Sequence, residues 1–290
     1  MSVQSWLNSI WYDRTAPPWW LVPLSLTYGA VSGSRRFLYI HHLRKASRIS
    51  CPVVVVGNVS VGGTGKTPLV CWLAAHLADR GYKPGIVTRG YGGSSRDVRR
   101  ITAADDPNVV GDESILLARR SGAPVAIGRD RPAAAQLLVG DGCNVIVSDD
   151  GLQHYALARD CEVVVIDGDR RFGNGWLLPA GPLREPLPRE LPARTLVVYN
   201  AATASTSLPG TLIRRSLAGL VPLDAWWRGR PAAFGGSIDS LRGRTVVAAA
   251  GLAHPQRFFR MLREFGLTIE EMPLPDHFAS KTQLKWAGET

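Results

Sequence analysis

A chain of 290 residues that is 45% hydrophobic and 20% charged has the apolar material for a packed core. That composition excludes a disordered chain, and the length suits one large domain or one and a half. Lys and Arg outnumber Asp and Glu by 34 to 24, and the net charge of +10 points to an anionic partner, whether nucleotide, phosphorylated substrate, nucleic acid or anionic membrane surface.

Residues 15–34 carry no charge and are flanked by Arg14 before and by Arg35, Arg36, Arg44, Lys45 and Arg48 after. The length is near that of a membrane span. Pro17, Pro18 and Pro23 interrupt it, and a proline inside a helix removes a hydrogen bond that lipid cannot replace. Trp19, Trp20 and Tyr28 are residue types favoured at the headgroup level. The charges follow the apolar run and no small-residue cleavage site is evident, so a secretory signal fits poorly. Residues 1–48 are therefore read as a membrane-associated N-terminal segment, an amphipathic helix on the membrane surface. A true span and a helix packed on the protein's own core are the alternatives.

From residue 51 short apolar runs alternate with helical stretches. Val53 to Val56 is a continuous β-branched run, as expected of a strand buried on both faces. The stretch from Pro68 to Arg80 puts Leu69, Val70, Leu73, Ala74 and Leu77 on one helical face, and Pro68 is tolerated in a first turn. Further predicted strands are Ile86 to Thr88, Val125 to Ile127, Val145 to Val147, Val163 to Ile166 and Leu196 to Tyr199. Helices are predicted over Asp112 to Arg120 and Arg131 to Val139. Alternation of this kind predicts a mainly parallel α/β sheet with ligands at the carboxyl ends of its strands. Residues 170–192 lack periodicity and read as a functional or flexible loop, and residues 200–240 are poorly patterned. Thr245 to Ala250 as a strand and His254 to Phe265 as a helix predict a smaller C-terminal α/β domain over 241–290, after a core over 49–240. Cys51, Cys71, Cys143 and Cys161 form no Cys-x-x-Cys pair and have no His cluster nearby, which argues against a zinc site or a disulfide framework.

The chemistry is carried by Ser60-Val61-Gly62-Gly63-Thr64-Gly65-Lys66-Thr67. The phosphate-binding loop pattern is Gly, four residues, then Gly-Lys-Ser/Thr; Ser60 replaces the opening Gly and the remainder is intact. Its glycines let backbone amides turn toward phosphate, Lys66 suits the β- and γ-phosphates, and the Thr67 hydroxyl can ligate Mg²⁺. A dinucleotide fold would want a third Gly where Pro68 stands. Val145 to Val147 leads into Ser148-Asp149-Asp150-Gly151, a strand ending in the carboxylates that a P-loop enzyme uses for Mg²⁺, although Asp-Gly is also a common turn. In Gly111-Asp112-Glu113 the spacing makes Asp112 first of all a helix cap. Asp276-His277 lies in a Pro-bounded turn and reads as surface, or as a His tuned by a carboxylate.

Together these residues resemble the tetraacyldisaccharide 4'-kinase family, which phosphorylates a lipid A precursor. The resemblance runs from about residue 5 to about 285. It rests on Val55-Gly57-Asn58 with the phosphate-binding loop, Arg89-Gly90-Tyr91-Gly92-Gly93, Gly111-Asp112-Glu113 and Ser148-Asp149-Asp150-Gly151-Leu152-Gln153-His154. Phe172-Gly173-Asn174-Gly175, Leu178-Pro179-Ala180-Gly181-Pro182-Leu183-Arg184-Glu185-Pro186, Pro255-Gln256-Arg257-Phe258-Phe259 and Asp276-His277 complete it. What it implies is ATP- and Mg²⁺-dependent phosphorylation of the 4'-hydroxyl of tetraacyldisaccharide 1-phosphate, giving lipid IVA at the cytoplasmic face of the bacterial inner membrane. Asp112 would be the base and His277 its partner. Lys66 would serve catalysis; Asp149 and Asp150 would hold the metal, with Glu185 near it. Arg89, Tyr91, Arg131, His154 and Arg184 would face substrate or phosphate. Family members continue beyond this point into a strand and a Thr-Glu-Lys-Asp run, so a shortened C-terminal domain is expected. The runner-up reading is a P-loop GTPase-like chaperone or metal-insertion protein, but the sequence lacks a guanine-reading Asn/Thr-Lys-x-Asp loop. A nucleic-acid partner is not expected, because the basic residues form no known module, and no obligate protein partner is expected.

Overall fold

The structure is a computed structural model that describes residues 3–13, 16–187, 190–214, 216–217, 219–223, 225, 238–252 and 255–274. It divides into two units, Met1–Arg214 and Arg215–Thr290.

In the first unit, helices α1 (Val3–Tyr12) and α2 (Leu21–Ile40) precede strand β1 (Val53–Gly57) and helix α3 (Lys66–Asp79). Next come β2 (Pro84–Thr88), β3 (Arg99–Ile101), the single turn α4 (Pro107–Val110), α5 (Asp112–Arg120), β4 (Val125–Ile127) and α6 (Arg131–Gly140). The unit closes with β5 (Val145–Asp149), β6 (Cys161–Asp167), β7 (Thr195–Asn200) and β8 (Thr211–Ile213). The eight strands lie in the order β3-β4-β2-β5-β1-β6-β7-β8. Only β3 runs antiparallel to its neighbour, so the sheet is mainly parallel, as the alternating pattern predicts.

The valines of β1 explain its central place. Val53 and Val55 enter the apolar cluster that contains Ala134, Ala135 and Leu138 of α6. Val56 enters the other, with Leu69, Val70 and Ala74 of α3 and Ile115 and Leu117 of α5. Successive side chains of a strand point to opposite faces, so an unbroken apolar run fits only a strand covered on both sides. Leu138 is fully buried, and truncating it to Ala should cost about 2–5 kcal/mol. The α6 start is set by Asp130, which accepts from the Ala133 amide at 3.1 Å, with a proline in the first turn.

Register then places the site. Val56 of β1 pairs with Asp149 of β5 on one side and with Val163 of β6 on the other, so the loop after β1 rises beside the last residue of β5.

The first helices differ from the sequence expectation in one physical detail. Pro17 and Pro18 precede α2, and Pro23 is its third residue, where the amide it lacks has no acceptor within the helix. The prolines therefore do not break the helix. No helix among the described residues is long and apolar enough to cross a membrane. Ile10, Trp11, Leu21 and Ala180 form a buried cluster, with Leu7, Tyr12, Val61 and Leu178 packed against it. Part of this segment thus packs on the protein itself. The rest leaves Trp19 82% exposed, with Leu24, Leu26, Val31, Phe37 and Ile40 also exposed.

The second unit holds β9 (Thr245–Ala250), α7 (Pro255–Glu264) and β10 (Thr268–Pro273), with β9 and β10 parallel. Ala248, Ala250, Phe259, Leu262 and Leu267 are its core. Asp276 and His277 lie outside the described residues.

Candidate active site

The loop between β1 and α3 carries the phosphate-binding motif. Gly65 is the residue before α3 and sits in the left-handed region at φ 92°, where a side chain would be strained. Lys66 begins the helix. Its Nζ donates to Asn58 Oδ1 at 2.9 Å and stands 3.1 Å from Asp150 Oδ1. Asn58 is fully buried, and its Nδ2 donates to the Gly62 carbonyl at 3.3 Å. Ser60 and Thr64 are buried; Val61, Gly62, Gly65 and Thr67 are half-buried, and Gly63 is exposed.

The loop over 170–192 proves to be a wall of this site. The Val61 amide donates to the Pro182 carbonyl at 2.8 Å, and the Arg184 amide to the Val59 carbonyl at 2.7 Å. Arg184 Nη1 then reaches both carboxylate oxygens of Asp150 at 2.9 Å and Gln153 Oε1 at 3.3 Å. Asp150, at φ 48°, is thereby held between two cations. Burial alone would raise its pKa, but Lys66 and Arg184 outweigh burial and lower it to about 2.

Asp149 is the opposite case. It is 2% exposed, and its Oδ1 is buried with no hydrogen-bond partner among the described residues. Burial raises its pKa to about 6 against the pull of Lys66, with Asp150 and Glu113 adding repulsion. Arg131 lies behind this strand end, 4% exposed, donating to Ser148 Oγ at 3.1 Å. Burial lowers its pKa to about 10, with Asp150 and Asp149 opposing.

His154 is half-buried, and its Nε2 is buried and unbonded among the described residues. Burial, with Arg131, Arg35 and Arg159 adding repulsion, lowers its pKa to about 4, so the ring is neutral at neutral pH. Arg159 fixes this loop, donating to the Leu152 carbonyl at 2.8 Å and the His154 carbonyl at 2.7 Å. Glu185 accepts from the Tyr155 hydroxyl, and burial raises its pKa. Among the described residues no group of three or more His, Cys, Asp or Glu side chains is arranged to hold a metal.

The Arg89-to-Gly93 loop and the Gly111-Asp112-Glu113 turn are packed together. A Cβ on Gly111, whose φ is 86°, would stand 2.3 Å from the Tyr91 carbonyl oxygen, so only glycine lets the two loops meet. Gly111 is the residue capping α5 and Asp112 is its first helical residue. The cap expected of Asp112 therefore falls one residue earlier, because the left-handed turn needs glycine. Asp112 and Glu113 are exposed, and Asp112 Oδ1 accepts from the Glu113 amide at 2.8 Å. Tyr91 is 68% exposed and Arg89 is exposed as well.

Lys66, Asp149, Asp150, Arg131 and Arg184 are thus gathered by contact or charge at one strand end, with His154 at its border. Arg89 and Tyr91 stand on the adjoining loop and Asp112 at the start of α5, and His277 is outside the described residues. The motif reading passed over Asn58, Gln153, Tyr155 and Arg159, which hold the named residues in place. Asn58 and Gln153 stand inside the quoted motifs, and their position beside strand ends was the available signal.

A parallel sheet with a phosphate-binding loop after its central strand, and a carboxylate pair on the next strand, defines a P-loop nucleotide-binding enzyme. The family model for tetraacyldisaccharide-1-P 4'-kinase matches residues 17–285. The chain is 50% identical over 291 residues to the tetraacyldisaccharide 4'-kinase of Methylibium petroleiphilum, covering 99% of this chain and 80% of that one. It is 47% identical over 286 residues to that of Leptothrix cholodnii, covering 98% and 81%. Among solved structures, the "apo" form of LpxK from Aquifex aeolicus in complex with ATP matches with a TM-score of 0.76 and 28% identity, over 92% of this chain and 84% of that one. The chain belongs to the tetraacyldisaccharide 4'-kinase family and is an ATP-dependent kinase of lipid A biosynthesis. The family match decides against the GTPase-like chaperone reading.

Proposed function

We propose that the chain transfers the γ-phosphate of ATP to the 4'-hydroxyl of tetraacyldisaccharide 1-phosphate through the residues gathered at the ends of β1 and β5. The observation that carries the assignment is the Lys66–Asp150–Arg184 chain, which puts two cations and a carboxylate at the mouth of the phosphate-binding loop. Phosphoryl transfer depends mainly on positioning and charge stabilisation. Lys66 leaves Asp150 for the transferred phosphate, and Arg184 follows the same charge. Asp112 accepts the proton of the 4'-hydroxyl as its oxygen bonds to the γ-phosphorus and the bond to the β-γ bridging oxygen breaks, releasing ADP. Exposure of Asp112 at the start of α5, beside the Gly111 turn that packs against Tyr91, supports this role, with Arg89 and Tyr91 facing the sugar. His277 is its proposed partner.

The donor set fits Mg²⁺. The buried Asp149 Oδ1, unbonded among the described residues, is an acceptor oxygen with no partner there, and Thr67 and Asp150 would supply further hard oxygen ligands. Bound there, Mg²⁺ would neutralise phosphate charge. Glu185 joins this set only by parting from the Tyr155 hydroxyl. Arg131, being buried, supports the ionised aspartates from behind.

Membrane attachment is proposed as peripheral, at the cytoplasmic face of the inner membrane. Trp19, Trp20, Leu24, Leu26, Val31, Phe37 and Ile40 supply exposed apolar surface, and Arg35, Arg36, Arg44 and Lys45 supply charge near it; together they make two weak anchors. The deciding experiment is transfer of label from ATP to the disaccharide 1-phosphate with and without Mg²⁺, alongside flotation with anionic vesicles. No labelled 4'-phosphate in the presence of Mg²⁺ would overturn the assignment.

A further inference from the structure

The amide of Asn200 is fixed in a way that the phosphate chemistry leaves unexplained. Asn200 is the last residue of β7 and is half-buried, and its Nδ2 donates to the backbone carbonyl of Thr64 at 3.1 Å. Thr64 belongs to the phosphate-binding loop, 136 residues away in sequence. A carbonyl can only accept, so this bond dictates which end of the amide faces the loop. The NH₂ group points to Thr64 and Oδ1 is the outward end.

Topology says what would lie against it. The strand order places β5, β1, β6 and β7 side by side. Lys66, Asp149 and Asp150 mark the β5 side as the end where the transferred phosphate sits. A nucleotide held in the loop after β1 must therefore run its ribose and base the other way, over the ends of β6 and β7. From β5 to β7 is three strand spacings, roughly 14 Å, a span suited to an extended nucleoside triphosphate. Asn200 stands at the base end of that path.

We propose that Asn200 reads the nucleobase, its Oδ1 accepting from the exocyclic amine of adenine. Adenine offers a donor at this position; guanine offers a carbonyl, which would set two acceptors against each other. The same side chain thus ties the phosphate-binding loop to β7 and selects ATP over GTP. The inference rests on the phosphate placement proposed above.

The test uses ATP, GTP and purine riboside triphosphate, which lacks the amine, with Mg²⁺ and without lipid, measured as equilibrium binding. Wild-type protein should bind ATP about tenfold more tightly than either analogue, because a polar site rejects a ligand that leaves it unpaired. Asn200→Ala should bring the three affinities to within about twofold of one another. A merely structural role for Asn200 would weaken all three equally, leave the preference intact and overturn the proposal. So would a wild-type protein that binds ATP and purine riboside triphosphate alike, a comparison that needs no variant to fold. Lys66→Ala checks the underlying placement independently: it should weaken all three triphosphates and leave their ratio unchanged. Unaltered binding in that variant would remove the phosphate placement rather than the base reading.

Discussion

Lys66 Nζ stands 3.1 Å from Asp150 Oδ1, so the cation of the phosphate-binding loop is paired with a carboxylate at the end of the neighbouring strand. Lys66→Ala should lower kcat by about 10²-fold or more, because it removes a cation from the developing charge. Asp150→Asn should act differently. It frees Lys66 and Arg184 from their shared carboxylate and leaves both cations with less compensation. The folded-state pKa of Asp150 is lowered to about 2, so its ionised form contributes stability that is present above its ordinary value and lost as pH falls toward 2. Asp150→Asn should therefore lower the melting temperature at pH 7, with a smaller loss at pH 3. An unchanged melting temperature at pH 7 would mean that the Lys66–Asp150–Arg184 chain contributes nothing.

Asp149 gives the opposite sign. Its folded-state pKa is raised by burial from 3.8 to about 6, so the folded state holds the proton more tightly than the unfolded one. The ionised form costs folding free energy that is absent below the ordinary value, grows between pH 4 and pH 6 and persists above. Without metal, Asp149→Asn should match or exceed wild-type melting temperature at pH 8, and its advantage should shrink toward pH 4. Mg²⁺ with ATP should reverse the order by stabilising the wild type alone. Melting curves of both proteins across that range settle it; a difference that is flat with pH would show that Asp149 carries no desolvated charge.

How the first helices act on the nucleotide loop was not legible in the sequence. Charge-free residues with basic flanks suggest a segment apart from the core, and deleting it would then spare nucleotide binding. The structure joins it to the loop. The Tyr12 hydroxyl donates to the Val61 carbonyl at 3.3 Å, Trp11 Nε1 to the Pro179 carbonyl at 2.9 Å, and the Tyr28 hydroxyl to the Arg184 carbonyl at 3.0 Å. The ring of Tyr12 also lies under Arg170 at 4.8 Å. These partners lie 49 to 168 residues apart, and no local periodicity encodes such contacts. The central strands were legible because Val53 to Val56 and Val145 to Val147 are apolar runs covered on both faces. Strands β3 and β8 were not, because each is three residues long and mostly exposed at the sheet edge. The phosphate-binding loop was legible because glycine, lysine and threonine are needed at fixed spacing, whereas Arg159 and Asn200 act through contacts that only the fold creates.

Removing α1, residues 1–13, should consequently raise the KM for ATP by about tenfold, since several hydrogen bonds that hold the loop and its wall are lost together. Tyr12→Phe should raise it by about twofold to tenfold, the value of one such bond. Flotation with anionic vesicles should survive the α1 deletion, because the exposed residues of α2 and its arginines remain. A truncated protein with wild-type KM for ATP would show that the contacts to Val61 and Pro179 do not shape the nucleotide site.

Asp112 separates a helix-end role from proton acceptance. It is the first residue of α5, with Gly111 as the cap, and its Oδ1 accepts from the Glu113 amide at 2.8 Å. Asn keeps an acceptor oxygen for that bond, so Asp112→Asn should leave the melting temperature within a degree or two of wild type, as expected of an exposed substitution. Asn cannot accept the hydroxyl proton. If Asp112 is the base, kcat should fall by about 10² to 10⁴ while the KM for ATP stays close to wild type. His277→Ala should lower the rate less. The double variant should cost less than the sum of the two single losses, because residues acting as one unit are not additive. Initial rates and melting curves for all three variants decide the matter. A stable Asp112→Asn enzyme with full activity would confine Asp112 to the start of α5 and place the proton acceptor elsewhere.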